Sequence, residues 1–282
     1  MKIDTHVHLT PGCISDRCDL LKNSEDYWKM LAESPKNQFA DADQIVAEMD
    51  RTGVDISVIF GFSFKDPALC REVNDHTIEA VRRYPDRLVG YMALSPQDPD
   101  LEQEIDRCMA GGLKGVGEMF PVGQGLDITD KRETGLLAGL CRERSLPVMV
   151  HSNERVGHYY PGKVETTPLE VYRLAENHPD LTLILAHWGG GLVFYELMKE
   201  IRRVCQNVYY DLAASIFLYD NSIFRVAREI GVMDKVLFAT DYPLVSPERY
   251  YRYIDESGLT EPEREMVYSG NARRLLGLAD QG

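Results

Sequence analysis

No two cysteines in this chain are spaced as CxxC, and the six present (Cys13, Cys18, Cys70, Cys108, Cys141 and Cys205) are scattered along 282 residues. Cys13 and Cys18 lack the second pair that would complete a four-thiol zinc knot, and disulfide frameworks belong to short secreted chains, so reduced thiols are expected. Long hydrophobic runs are also missing. Stretches such as 146–150 and 181–186 fall far below the roughly 20 apolar residues that cross a bilayer, so no membrane partner is expected. Met1-Lys2 leads directly into a strand-like run without a leader pattern, and a cytoplasmic protein is the expectation. Basic residues are in deficit: 31 Lys and Arg against 45 Asp and Glu give a formal charge of −14. A phosphate backbone must be met by cations, which argues against a nucleic-acid partner. No Gly-rich fingerprint follows the first strand-like segment, which weighs against a doubly wound dinucleotide-binding sheet.

What the chain does have is a repeating alternation. Short β-branched or apolar runs occur at 2–9, 55–62, 88–94, 115–120, 147–152, 182–187, 208–212 and 236–240. Helical periodicity lies between them at 42–51, 74–83, 101–109, 133–144, 168–176, 192–203 and 222–230. Eight units of strand then helix are the count of a parallel (β/α)8 TIM barrel. With 44% apolar residues and no mid-chain linker, the expectation is an α/β protein with a single domain over 1–282. Segment 10–41 is then a long first βα loop, and 261–276 a final helix. Long loops on that face commonly line or cap active sites.

In such a barrel function sits where the strands end. The first strand carries His6 and His8, two residues apart and so on one face about 7 Å apart, with Asp4 on the same face. The fourth ends in Glu118, the fifth in His151, the sixth in His187 and the eighth in Asp241. Taken singly, each histidine reads as a hydrogen-bonded core residue. Jointly, imidazoles and carboxylates converging on an apolar barrel mouth would leave buried polar groups unpaired unless a cation gathers them. Nitrogen and oxygen donors plus water make a catalytic site of the zinc type. The loop after the fifth strand adds Arg155, His158, Tyr159 and Tyr160, a set suited to a substrate carboxylate on an unsaturated body. Trp188, Phe62 and Phe120 are candidate pocket walls and equally plausible core residues, and Asp211 is a candidate partner that orients a ligand.

The segments "DTHVHL" and "FATDYP", together with the His151 and His187 strand ends, resemble the amidohydrolase superfamily. They resemble more narrowly its amidohydrolase-related branch, which includes aminocarboxymuconate-semialdehyde decarboxylase, and the closing "SGNARRLLGL" is similar to that branch's usual ending. The resemblance implies a TIM barrel with a divalent metal held by His6, His8, His151 and Asp241, and His187 beside it. Glu118 departs from the decarboxylase pattern. It fits two roles equally, a metal ligand or bridge, and an acceptor that orients a ligand histidine. Lys114 lies four residues earlier on that strand, about 13 Å toward the closed end, and reads as structural.

The leading expectation is a metal-dependent hydrolase of a small-molecule amide, lactone or ester, with Asp241 as the base for a metal-activated water and His187 as the electrostatic or proton-donating partner. Its enzymatic rival is a metal-dependent non-oxidative decarboxylase of a small unsaturated or aromatic acid, in which the Asp241 and His187 pair protonates carbon. A catalytically silent metal-binding scaffold is disfavoured by the intact acid/base neighbours. Zinc is the first expectation for the ion and manganese the second. The partner is a small molecule bearing a carboxylate, and a homo-oligomer is compatible with the sequence.

Overall fold

The computed structural model describes residues 1–32, 34 and 38–278, and within them eight short strands run parallel. They are β1 (Ile3–His8), β2 (Ile56–Phe60), β3 (Leu88–Gly90), β4 (Val116–Met119), β5 (Val148–Val150), β6 (Leu183–Leu185), β7 (Val208–Asp211) and β8 (Val236–Leu237). Ladders join β1 to β2 to β3, and β4 onward to β8. Isolated parallel bridges, Met92 with Val116 and Val7 with Tyr242, span the two seams. Met92 N–H donates to Gly115 O at 2.8 Å and Thr5 N–H to Phe238 O at 2.9 Å across the same seams. The strands thus form a (β/α)8 barrel.

Side chains alternate between two apolar layers. Val58, Phe60, Met149 and Ile184 join Ile3, Tyr91 and Leu237 in an inner cluster, while their neighbours Ile59, Val148, Val150, Leu183 and Leu185 pack into the layer that includes the helices. A strand buried on both faces requires apolar residues at every position, which is why these runs are continuous rather than alternating. Ala272, from the last helix, packs into the inner cluster.

Each strand is shorter than the run expected to form it; His151, His187 and Asp241 lie just beyond their strands, whereas His6, His8, Glu118 and Asp211 lie within theirs. Helix Pro67–Arg83 starts earlier than expected because the Asp66 carboxylate accepts from Ala68 N–H and Pro67 fills the first turn. The helix expected at 192–203 is broken into Leu192–Tyr195 and Lys199–Val204. Glu196, between them, is not a surface residue: its buried carboxylate accepts from Lys235 Nζ at 2.9 Å and Tyr210 Oη at 2.7 Å. The final segment is helical over Glu261–Glu265 and Asn271–Leu276, with a π turn at Met266–Gly270.

After β1 the chain folds into short helices at Gly12–Ser15, Cys18–Leu21 and Asp26–Ala32. Residues 33 and 35–37 of this loop lie outside the described residues. Glu25 ties it down by accepting from the N–H groups of Lys65 and Asp66, both at 2.9 Å. Tyr27 and Trp28 then pack with Phe62, Phe64 and Phe120, residues just beyond β2 and β4.

Candidate metal centre and pocket

The backs of three imidazoles are committed to acceptors. His6 Nδ1 bonds Asp211 Oδ2 at 2.9 Å, His151 Nε2 bonds Gly162 O at 2.9 Å, and His187 Nδ1 bonds Ala213 O at 2.8 Å. A carbonyl or carboxylate oxygen only accepts, so each of these nitrogens carries the hydrogen and the opposite nitrogen of a neutral ring carries a lone pair. The lone pairs of His6 and His151 face a further imidazole nitrogen and a carboxylate oxygen. His6 Nε2 lies 3.3 Å from His8 Nε2, His8 Nε2 lies 3.2 Å from Asp241 Oδ1, and His151 Nδ1 lies 3.1 Å from Glu118 Oε1. His8 Nδ1 is buried without a hydrogen-bond partner among the described residues. Such a set is satisfied only by protons or a metal ion at its middle, and it is the donor chemistry of a divalent cation.

Two donor groups are present, His6, His8 and Asp241, and Glu118, His151 and His187, with the ligand atoms of each within 4.8 Å of one another. Glu118 stands between them. Its Oε2 is 3.8 Å from both His6 Nε2 and His8 Nε2, and its Oε1 is 3.9 Å from His187 Nε2. Because Gly162 already holds the back of His151, Glu118 faces that ring on its donor side.

The electrostatics describe a centre that attracts positive charge. Burial opposes a charge on His6, yet the Asp211, Glu118 and Asp241 carboxylates raise its imidazolium to about 10. Burial would raise Glu118, but the His6, His151 and His8 imidazoles hold its carboxyl at about 2. Asp241, equally buried, is pulled below the usual carboxylate range by the His8 hydrogen bond and the charges of His6, His8 and His187. Asp4 does not reach the centre. Its oxygens accept from Thr240 Oγ1 at 2.6 Å and Thr240 N–H at 3.0 Å, clipping β1 to the strand end that carries Asp241.

The segment "HWGGG" after β6 is a turn of left-handed backbone, with φ of 57° at His187, 60° at Trp188, 64° at Gly189, 60° at Gly190 and 97° at Gly191. A Cβ at Gly190 would collide with the Asn153 carbonyl, so only glycine fits there. This turn swings His187 into the centre and Trp188 away from it.

A cavity of 910 Å³ opens over the donors. His8, Glu118, His151, His187 and Asp241 line it together with Tyr27 and Phe62. Phe62 stacks on the His8 ring, centroids 4.7 Å apart and 12° between planes. Arg155 and His158 also line it, Arg155 being the one Lys or Arg among the described lining residues. Two expected substrate contacts lie elsewhere. Tyr159 is 71% exposed and forms no part of the wall. Trp188 is a fully buried core residue, donating from Nε1 to Ser215 Oγ at 2.9 Å and packed against Phe224. Of its two readings, pocket wall and core residue, the left-handed turn selects the core. Phe194 and Tyr219 line the cavity without any signal of it in the sequence.

The chain is 24% identical to a protein named γ-resorcylate decarboxylase from Rhizobium radiobacter, over 90% of its own length and 91% of the relative's. Two solved structures share the fold. One is 5-carboxyvanillate decarboxylase of Novosphingobium aromaticivorans, complexed with manganese and 4-hydroxy-3-methoxy-5-nitrobenzoic acid. It has a TM-score of 0.81 at 19% identity and covers 99% of this chain and 96% of that one. The other is dihydroxybenzoic acid decarboxylase from Polaromonas sp. JS666, with bound manganese and 2-nitroresorcinol. Its TM-score is 0.74 at 19% identity, covering 98% and 97%. The relatives overturn the expected hydrolase, because they are named decarboxylases, the rival reading. The metal in these two structures is manganese, and the expected zinc finds no support. No helix among the described residues is long and apolar enough to cross a membrane. The sequence model of the amidohydrolase family matches residues 3–278, and the chain belongs to that family.

Proposed function

We propose that this chain is a divalent-metal-dependent, non-oxidative decarboxylase of a small aromatic carboxylic acid. One observation carries the reading: a set of metal donor groups that includes the His187 imidazole sits at the base of an aromatic-walled cavity in a chain whose curated relatives are named γ-resorcylate decarboxylase. His6, His8, His151 and Asp241, with Glu118 between the two donor groups, are the residues that would hold the ion. When bound, the ion supplies a Lewis acid that neutralises the substrate's carboxylate and an adjacent oxygen.

The remaining chemistry belongs to side chains. Tyr27 and Phe62, packed edge to face, give the cavity an aromatic wall against which a substrate ring can lie. His187 has its Nδ1–H committed to Ala213 O, so Nε2 delivers the proton toward the cavity. The ring carbon takes that proton, and the electron pair of its bond to the carboxyl carbon returns to the ring as CO2 leaves. Asp241 lies close enough to His187 for the charge of that ring to help keep its carboxyl ionised. Arg155 and His158 hold a further oxygen-bearing substituent of the substrate.

The test is an assay of hydroxylated and methoxylated benzoic acids with protein stripped of metal and then reloaded with manganese. Loss of the carboxyl group only in the reloaded form supports the reading. Equal activity in the stripped form, or no turnover of any such acid by the loaded form, would remove it.

A further inference from the structure

Asp211 ends β7 and is fully buried, and its two oxygens serve different parts of the centre. Oδ2 accepts from His6 Nδ1 at 2.9 Å, on the back of that ring. Oδ1 accepts from the backbone N–H of His187 at 2.9 Å and of Ala213 at 3.0 Å. The Ala213 carbonyl in turn accepts the His187 Nδ1–H at 2.8 Å. A single carboxylate therefore sets the tautomer of one imidazole directly and the placement of another through the backbone.

The second task is demanding. His187 and Trp188 both carry side chains at left-handed φ, 57° and 60°, a conformation that residues with a Cβ rarely adopt. Backbone of this kind persists only where its surroundings hold it. The hydrogen bond from His187 N–H to Asp211 Oδ1 anchors the turn at its first residue.

We propose that Asp211 is a positioning residue with a double role. It keeps His6 in the Nδ1–H form, so that Nε2 offers its lone pair to the metal ion, and it holds His187 at the angle from which the proton is delivered. The inference rests on the reading of the centre as a metal site, and its test separates the two.

Asp211→Asn changes the chemistry with almost no change of shape. Its amide oxygen can keep both backbone bonds, but its NH2 then faces His6 Nδ1 as a donor. His6 is driven to the Nε2–H form, with a hydrogen where the lone pair pointed into the centre. Manganese titration followed by electron paramagnetic resonance should show affinity weakened by about 10- to 100-fold, while the metal-free variant melts close to wild type. A second measurement needs no variant. In the wild-type protein loaded with cadmium, nitrogen NMR of the histidines should show the His6 proton on Nδ1 and metal coupling at Nε2. Affinity in the Asn variant within about threefold of wild type, or metal coupling at His6 Nδ1, would overturn the role of Asp211 in setting the His6 tautomer. Asp211→Ala, which also loses the backbone bonds, should lose more kcat than Asp211→Asn in metal-saturated protein; no greater loss would overturn the role of Asp211 toward His187. Wild-type protein that takes up neither manganese nor cadmium would instead defeat the metal reading itself, and this proposal with it.

Discussion

The Nε2 atoms of His6 and His8 lie 3.3 Å apart, each aimed at the same point between Asp241 and Glu118. With Asp211 fixing the hydrogen of His6 on Nδ1, a neutral His6 has no proton to place between them. The His6 lone pair and the Asp241 and Glu118 carboxylates crowd around that point, an arrangement that a cation stabilises. Manganese at 100 times its Kd should therefore stabilise the fold by about 2.7 kcal/mol, seen as a rise of several degrees in melting temperature. His8→Ala should abolish the rise. A melting temperature indifferent to manganese and to chelator would contradict the assignment.

His187 and His8 should separate cleanly in their effects. His187→Asn removes the proton donor while leaving His6, His8, Asp241 and Glu118 in place, so kcat should fall about 10²- to 10⁴-fold with metal content unchanged. In His8→Ala, metal content and activity should fall together. Elemental analysis alongside the assay distinguishes the two patterns, and loss of metal from the His187 variant would make that residue a ligand rather than a proton donor.

Arg155 and Trp188 were both expected at the substrate, and only Arg155 lines the cavity. Arg155→Ala should raise KM with little change in kcat, as for a contact made equally in ground and transition states. Trp188→Phe removes the indole N–H bonded to Ser215 Oγ and part of the packing on Phe224. It should cost about 1–3 kcal/mol of stability and leave KM unchanged. Denaturation and kinetics on both variants decide the matter, and a KM effect in the Trp188 variant would return that residue to the site.

The acid limb of stability offers a check far from the centre. Glu263 accepts from Arg228 Nε at 2.6 Å and Nη2 at 2.5 Å, and from Thr260 N–H at 2.7 Å. The Arg228 hydrogen bonds, with help from Thr260, hold its carboxyl at about 2. A lowered carboxyl stabilises the fold above its ordinary range near 4.5, and that contribution fades as pH falls toward 2. Wild type should thus exceed Arg228→Gln in stability at neutral pH, with the gap shrinking on acidification below about 4.5. Urea midpoints measured across that range test this, and a gap constant with pH would assign it to packing.

Much of the fold was legible because the barrel strands are buried on both faces, so continuous apolar runs such as 147–152 and 182–187 stand out. The convergence of His6, His151, His187 and Asp241 was legible for a related reason, since they interrupt or end those runs with polar groups. What the runs did not show was direction. His187 and Trp188 are adjacent, and only the left-handed turn, permitted by the glycines that follow, sends one to the candidate metal centre and the other to the core. Glu196 was hidden by the opposite effect, since a glutamate in a helical pattern reads as solvent-facing while its partners Tyr210 and Lys235 are remote in sequence. The choice between hydrolysis and decarboxylation was not written in the donors at all, because either reaction needs a polarising ion and a proton-handling pair.

That choice is decided most directly by isotopes. Manganese-loaded protein turning over an aromatic acid in deuterium oxide should release one CO2 for each product molecule and place one deuterium on the carbon that lost the carboxyl group. The matching reaction in ¹⁸O-labelled water should leave no label in the organic product. Product carrying oxygen from water, with no CO2 released and no carbon-bound deuterium, would contradict the decarboxylase account.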